Sequence, residues 1–124
     1  MLVEDIMTKD VLSVHPQTSV YDAAKILVDN GVSGLPVLDT QGKLVGIVSE
    51  KDLIVILDFL GTHQAKDARI SECMTKDIVV CAPDMKTEDA ARLLVQRNIK
   101  RMPVVADDKL VGVVSRRDIL KGVL

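Results

Sequence analysis

Gly46-Ile47-Val48-Ser49-Glu50-Lys51-Asp52 recurs later in the chain as Gly112-Val113-Val114-Ser115-Arg116-Arg117-Asp118. In each copy a β-rich run ends at a Ser, and a carboxylate follows three residues later. A Ser ahead of a helical run accepts hydrogen bonds from the first free N–H groups, and an acid at the third helical position closes a capping box. The stretch therefore reads as the end of a strand and the start of a helix. It also gathers a hydroxyl, a carboxylate and the donor-rich end of a helix, which suits a ligand carrying phosphate and sugar hydroxyls. Taken alone, the spacing leaves both readings open: a well-capped helix, or half of a ligand site.

The repetition extends well beyond this stretch. Met7-Thr8-Lys9-Asp10 returns as Met74-Thr75-Lys76-Asp77, 67 positions on (74 minus 7). At that shift Pro16 matches Pro83, Asp22-Ala23-Ala24 matches Asp89-Ala90-Ala91, Leu27-Val28 matches Leu94-Val95, and Pro36-Val37 matches Pro103-Val104. One deletion between Asp39 and Lys43 lowers the shift to 66 (109 minus 43), after which Lys43-Leu44-Val45-Gly46 matches Lys109-Leu110-Val111-Gly112. Agreement sustained over such blocks marks an internal duplication.

Each repeat reads as strand, helix, strand, strand, helix. Residues 11–14 and 78–81 are short β-rich runs, each followed by a Pro two residues later. Next comes a helix in which Val20, Ala23, Ala24, Leu27 and Val28 fall at i, i+3, i+4, i+7 and i+8, with Thr87, Ala90, Ala91, Leu94 and Val95 as their twins. Both sets are expected on the face turned toward a sheet. Gly31 and Asn98 occupy the place of a left-handed helix stop. Strands are expected over residues 35–38 and 44–49 around the turn Asp39-Thr40-Gln41-Gly42, and over residues 102–105 and 110–115 around Asp107-Asp108.

The organisation that follows is a first repeat over residues 1–60, a connection over 61–72 and a second repeat over 73–124. A unit of roughly 50 residues rarely buries enough apolar surface to stand alone. The two β-α-β-β-α copies are therefore expected to form one α+β module about a pseudo-twofold axis.

Composition narrows the function. The chain of 124 residues is 48% hydrophobic and 27% charged, an ordinary globular balance. Aromatics make up 2% and Trp is absent, which leaves no stacking platform for single-stranded nucleic acid. A net charge of −2 and a pI near 5.6 remove any general attraction to DNA or anionic membranes. The acidic start lacks the apolar core of a signal peptide. The longest apolar run, residues 53–60, is broken by Asp58 and falls far short of the roughly 20 residues a membrane span needs. A cytoplasmic protein without membrane or nucleic-acid partners is expected.

Cys73 and Cys81 lie eight positions apart (81 minus 73) with no CxxC spacing, and His15 and His63 belong to other segments. Buried free thiols and no metal site are expected. No nucleophile–base pair or paired carboxylates speak for an enzyme.

Taken together, the opening Met-Thr-Lys-Asp, the Asp-Ala-Ala helix start, Val32-Ser33-Gly34-Leu35-Pro36-Val37 with Ile99-Lys100-Arg101-Met102-Pro103-Val104, and the two Gly-x-x-Ser-x-x-Asp stretches resemble a tandem CBS-domain module, named for cystathionine β-synthase. The resemblance covers about residues 4–124. It implies a regulatory module without catalysis and without a required cofactor, binding an adenine nucleotide such as AMP, ADP or ATP, or S-adenosylmethionine, in two clefts between the repeats.

Carried over residue by residue, the resemblance implies one cleft using Ser115 and Asp118, with Arg116 nearby, together with Lys9, Asp10, Val11, Ser33, Gly34 and Pro36. The other would use Ser49 and Asp52 with Asp77, Ile78, Lys100, Arg101 and Pro103. The Asp would hold the ribose hydroxyls, and a carboxylate is chemically apt to accept from a cis-diol. Guanidinium groups and main-chain N–H groups are apt partners for phosphate.

Each of these residues also has a plainer reading. Ser49/Asp52 and Ser115/Asp118 are complete helix caps, Lys100-Arg101 suits a solvated turn, and Ser33-Gly34 is common turn chemistry. Three function classes are thus compared: an adenosine-ligand sensor (with NAD(H) as a further candidate ligand), a protein-interaction module with empty clefts, and, least supported, an enzyme. The apolar closing helices are expected to join two chains into a homodimer. An unidentified effector protein is the expected recipient of the signal.

Overall fold

A computed structural model of residues 1–124 places the two repeats in separate antiparallel hairpins. In chain order the elements are α1 (Val3–Ile6), α2 (Val20–Asn30), β1 (Gly34–Leu38), β2 (Leu44–Ser49), α3 (Glu50–Leu60) and α4 (Thr62–Ala65). A 3-10 turn, Ile70–Glu72, precedes α5 (Thr87–Gln96), β3 (Arg101–Ala106), β4 (Lys109–Ser115) and α6 (Arg116–Val123). They gather into two compact units. The first is Leu12–Ile78; the second joins Met1–Val11 to Val79–Leu124. The class is α+β: two small sheets flanked by helices.

The expected leading strands do not form as strands. Val14 and Cys81 each make one isolated parallel bridge, to Val37 and Val104. Proline explains why. In the first unit Val14 N–H donates to the Pro36 carbonyl at 3.0 Å and Leu38 N–H donates to the Val14 carbonyl at 2.8 Å. Extending that parallel ladder by one bond in either direction would need an N–H from Pro36 or from Pro16, and neither has one. The same pair of bonds joins Cys81 to Pro103 and Val105, and Pro103 and Pro83 stop that ladder in the same way. The Leu38 carbonyl is reached by His15 Nδ1 at 2.8 Å; because a carbonyl only accepts, that nitrogen carries the proton.

The hairpins follow the expected pattern. Gly31 and Asn98 are left-handed, with φ of 61° and 52°. Asp107 and Asp108, at φ 51° and 65°, supply the two consecutive positive values that a tight hairpin turn requires. In the other hairpin the Asp39 carboxylate accepts from the Lys43 and Gln41 main-chain N–H groups at 2.9 and 2.8 Å. The first of these bonds does most to hold its pKa below the usual value.

Each unit has its own apolar core. Val14, Val20, Ala23, Leu27, Leu35, Val37, Val48, Leu53 and Ile56 form the first, and Val3, Cys81, Ala90, Leu94, Met102, Val104 and Val114 the second. Val28 and Val95, expected on the buried face, are 79% and 73% exposed. Eight residues on from Val20 or Thr87, a helix has turned about 80° past the starting side chain, off the buried stripe. The segment read as a connection also contributes Ala68 and Ile70 to the first core, and buries Ala65. Val20 N–H donates to the Ala68 carbonyl at 2.8 Å and Ile70 N–H to the Thr18 carbonyl at 2.9 Å. Val3, which donates to the Met85 carbonyl at 2.8 Å, does in the second unit what Ile70 does in the first.

The glycine opening each Gly-x-x-Ser-x-x-Asp stretch has a steric reason. Thr8 and Val113 exchange two main-chain bonds of 2.9 Å, and Thr75 and Ile47 exchange bonds of 2.8 and 2.9 Å. A Cβ at Gly112 would lie 2.7 Å from Met7 Sδ and 2.9 Å from the Thr8 carbonyl oxygen; at Gly46 the corresponding distances, to Met74 Sδ and the Thr75 carbonyl oxygen, are 2.9 and 3.1 Å. Gly112→Ala is expected to lower stability by about 1–3 kcal/mol in urea unfolding, and Gly46→Ala by less. For Asp39, NMR titration is expected to give a midpoint below the ordinary ~3.9. Its contribution to stability is present above that ordinary value and is lost as pH falls through the lowered one.

Candidate functional site

Both Ser-x-x-Asp stretches fold into full capping boxes. Asp52 N–H donates to Ser49 Oγ at 3.1 Å while Ser49 N–H donates to Asp52 Oδ2 at 2.9 Å. Ser115 and Asp118 repeat this at 3.1 and 2.9 Å. The strand ends where the Ser turns its hydroxyl back onto the helix, and the acid at the third position complements the dipole.

Each carboxylate has a second partner that sequence reasoning missed. Thr75 Oγ1 donates to Asp52 Oδ1 at 3.2 Å, with Oδ2 at 3.3 Å, and Thr8 Oγ1 donates to Asp118 Oδ1 at 3.4 Å. The signal was present, since Thr8 and Thr75 stand in the repeated Met-Thr-Lys-Asp. Its meaning required knowing that these segments bridge to β4 and β2. Asp118 is the one buried charged side chain, at 7% exposure; Asp52 is half-buried. With these bonds made, each carboxylate keeps lone pairs for two further donors, the number a cis-diol offers.

Within the first unit the fold brings Ser49, Asp52 and Thr75 together, and Asp77 and Ile78 follow Thr75 along the chain. Gly34 stands opposite Ser49 in register and Pro36 opposite Ile47, and Glu50 N–H donates to the Ser33 carbonyl at 3.0 Å. Within the second unit Ser115, Asp118 and Thr8 meet, with Lys9, Asp10 and Val11 directly after Thr8. Arg101 stands opposite Ser115 and Pro103 opposite Val113, and Arg116 N–H donates to the Lys100 carbonyl at 2.9 Å. Ser33, Gly34 and Pro36, named with Asp118 from the sequence, belong to the first unit; Lys100, Arg101 and Pro103, named with Asp52, belong to the second.

Other chemistry is sparse. Burial pushes both thiols up, Cys73 and Cys81 each to about 11, with Asp52 and Glu72 adding to the effect at Cys73. Neither is a thiolate near neutral pH. No three His, Cys, Asp or Glu side chains stand at metal-binding distance, and no helix is long and apolar enough to cross a membrane. A shallow groove of about 420 Å³ between residues 13–18 and α2 is lined by His15, Asp22, Lys25 and Asp29 among others, and contains none of the expected site residues.

Two outcomes test this geometry. Ser115→Ala and Ser49→Ala are each expected to cost about 0.5–2 kcal/mol in chemical unfolding, the range of a lost N-cap. A disulfide reagent at mildly alkaline pH is expected to label neither cysteine in the native protein and both in denaturant, because a thiol raised to about 11 holds almost no thiolate there.

The CBS domain family model matches residues 3–58 and 70–124. Among solved structures, CBSX2 of Arabidopsis thaliana in complex with AMP is 38% identical with a TM-score of 0.87, over 98% of this chain and 95% of that one. The CBS domain pair of protein MJ0100, in complex with 5′-methylthioadenosine and S-adenosyl-L-methionine, is 32% identical with a TM-score of 0.83, over 99% of this chain and 95% of that one. Inosine-5′-monophosphate dehydrogenase of Methanocaldococcus jannaschii is 35% identical over 119 residues, which is 95% of this chain but only 23% of that enzyme. With two copies of the domain along its length, the chain belongs to the CBS domain family.

Proposed function

We propose that the chain is a regulatory module that binds adenosine-containing ligands, with AMP, ADP and ATP as the leading candidates. The observation that carries this reading is the doubled constellation of a capped Ser, a helix N-terminus and an Asp carboxylate fixed by a Thr hydroxyl, at 3.4 Å in one copy and 3.2 Å in the other. The fixed carboxylate takes the ribose 2′- and 3′-hydroxyls, Ser115 or Ser49 lies beside ribose or phosphate, and the segments after Thr8 and Thr75 read adenine through main-chain groups. The AMP held by CBSX2 supports this assignment. S-adenosylmethionine is the second reading, favoured by the ligands of MJ0100.

The role is non-catalytic: neither thiol is activated, and the two polar clusters are built to hold rather than to transfer protons. Free thiols fit a reducing compartment, and we place the protein in the cytoplasm. The closing helices expose Ile54, Val55 and Phe59 on α3 and Leu120 and Val123 on α6. These apolar helix faces, one in each unit, fit a homodimer that passes ligand occupancy to an effector protein.

Calorimetric titration with AMP, ATP, NADH and S-adenosylmethionine tests the ligand reading. A ligand at 100 times its dissociation constant is expected to add about 2.7 kcal/mol of stability in a thermal-shift assay. Asp118→Ala and Asp52→Ala are each expected to abolish one binding event. Unchanged binding in both Asp variants sinks the ribose assignment. Sedimentation is expected to show a dimer that Phe59→Glu weakens; a monomer at micromolar concentration removes the dimer.

A further inference from the structure

The groove of about 420 Å³ beside α2 holds acceptors that its own fold leaves free. Val14 and Ile26 give it an apolar part, one buried and one half-buried. Ser19-Val20-Tyr21-Asp22 is a third Ser-x-x-Asp helix start, and Asp22 N–H donates to Ser19 Oγ at 3.0 Å. Asp52 and Asp118 close their boxes by accepting from the Ser N–H, but Asp22 does not. Its carboxylate lines the groove with neither a hydrogen bond nor an ion pair. His15 Nδ1–H donates to the Leu38 carbonyl, so Nε2 of the neutral ring is an acceptor. Asn30 Nδ2 donates to the Ile26 carbonyl at 2.8 Å, which leaves its Oδ1 open. Asp29 Oδ2 takes Lys25 Nζ at 3.0 Å, which leaves Oδ1 open.

Helix stability does not account for this set. Asp29 stands in the last turn of α2, where an acid opposes the helix dipole. A Lys four residues ahead of an acid is also the weaker order for such a pair. The second copy lacks the arrangement. At the shift of 67, Ala82 replaces His15, Gln96 replaces Asp29 and Arg97 replaces Asn30. Asp89, the twin of Asp22, is paired with Arg92 at 3.1 Å. There the acid is neutralised within its own helix and a further cation stands beside it. In the first unit Lys25 turns to Asp29 instead, and Asp22 is left for a cation from outside.

The groove thus carries two carboxylates against one Lys, and every free polar atom named is an acceptor. Asp22 and Asp29 are seven residues apart, about 10 Å along the helix. No three metal-ligating side chains stand together there, so N–H donors suit it better than a metal ion. We propose that the groove binds a slender aliphatic polyamine. One ammonium donates to Asp22 and to His15 Nε2, the methylene chain lies on Val14 and Ile26, and a second ammonium reaches the free oxygens of Asp29 and Asn30. None of the residues assigned to the adenosine ligand lines this groove, so the two sites are independent.

Titration of the full chain with spermidine, followed by amide NMR, tests the assignment. Saturable shifts are expected over residues 13–18 and α2, with α5 unmoved. The partners are exposed, so binding is weak, and Asp22→Asn is expected to weaken it about fivefold. Giving the groove the second copy's residues, His15→Ala with Asp29→Gln and Asn30→Arg, is expected to abolish it. An unchanged urea midpoint in that variant separates lost binding from lost structure; if the midpoint falls, Asp22→Asn decides alone. Shifts that never saturate, that spread over α5 as well, or that survive Asp22→Asn undiminished overturn the proposal.

Discussion

In each unit a carboxylate at the third position of the closing helix is held by a main-chain N–H of its own cap and by a threonine hydroxyl from a segment distant in sequence. Much else is arranged around this contact. The Thr is delivered because its segment bridges to the second hairpin strand, and the glycine beside the bridging residue leaves room for that close approach. The helix starts where it does because the Ser closes the box. In the second unit the carboxylate is buried, and burying a charge is tolerable only with its hydrogen bonds made. On the proposed reading, the carboxylate that closes each cap also faces the ligand, with acceptor positions left over for it.

The elements governed by local chemistry were legible in the sequence. Caps at Ser49 and Ser115, left-handed stops at Gly31 and Asn98, and both hairpins follow from a few neighbouring residues. What depended on long-range pairing was not. The leading strands shrink to single bridges because prolines on both sides of each ladder lack the donors, a fact that appears only when the pairing partner is known. Val28 and Val95 match a helical repeat but sit past the edge of its buried stripe. Ile70 was hidden in a charged segment, although its match to Val3 at the same shift of 67 (70 minus 3) was available. For the site, the Ser and Asp were readable; the roles of Thr8 and Thr75 were not, because their partners lie 110 and 23 residues away.

Duplication usually invites the expectation of two equal sites. Here the main chain of the copies agrees closely, down to matching cap distances, while the exposed side chains beside the caps diverge in charge. A frame kept constant by packing leaves its solvent-facing positions open to change.

The first unit is one continuous stretch, Leu12–Ile78, and its Thr75–Asp52 contact spans 23 residues. The second unit is discontinuous, and its Thr8–Asp118 contact spans 110. On loop-closure entropy alone the longer span is harder to close by about 1.4 kcal/mol. The first unit can close on contacts within one stretch, whereas the second needs two segments separated by the whole of the first. The duplicated halves are thus alike in architecture and unlike in threading: one is local in sequence, and the other encloses it.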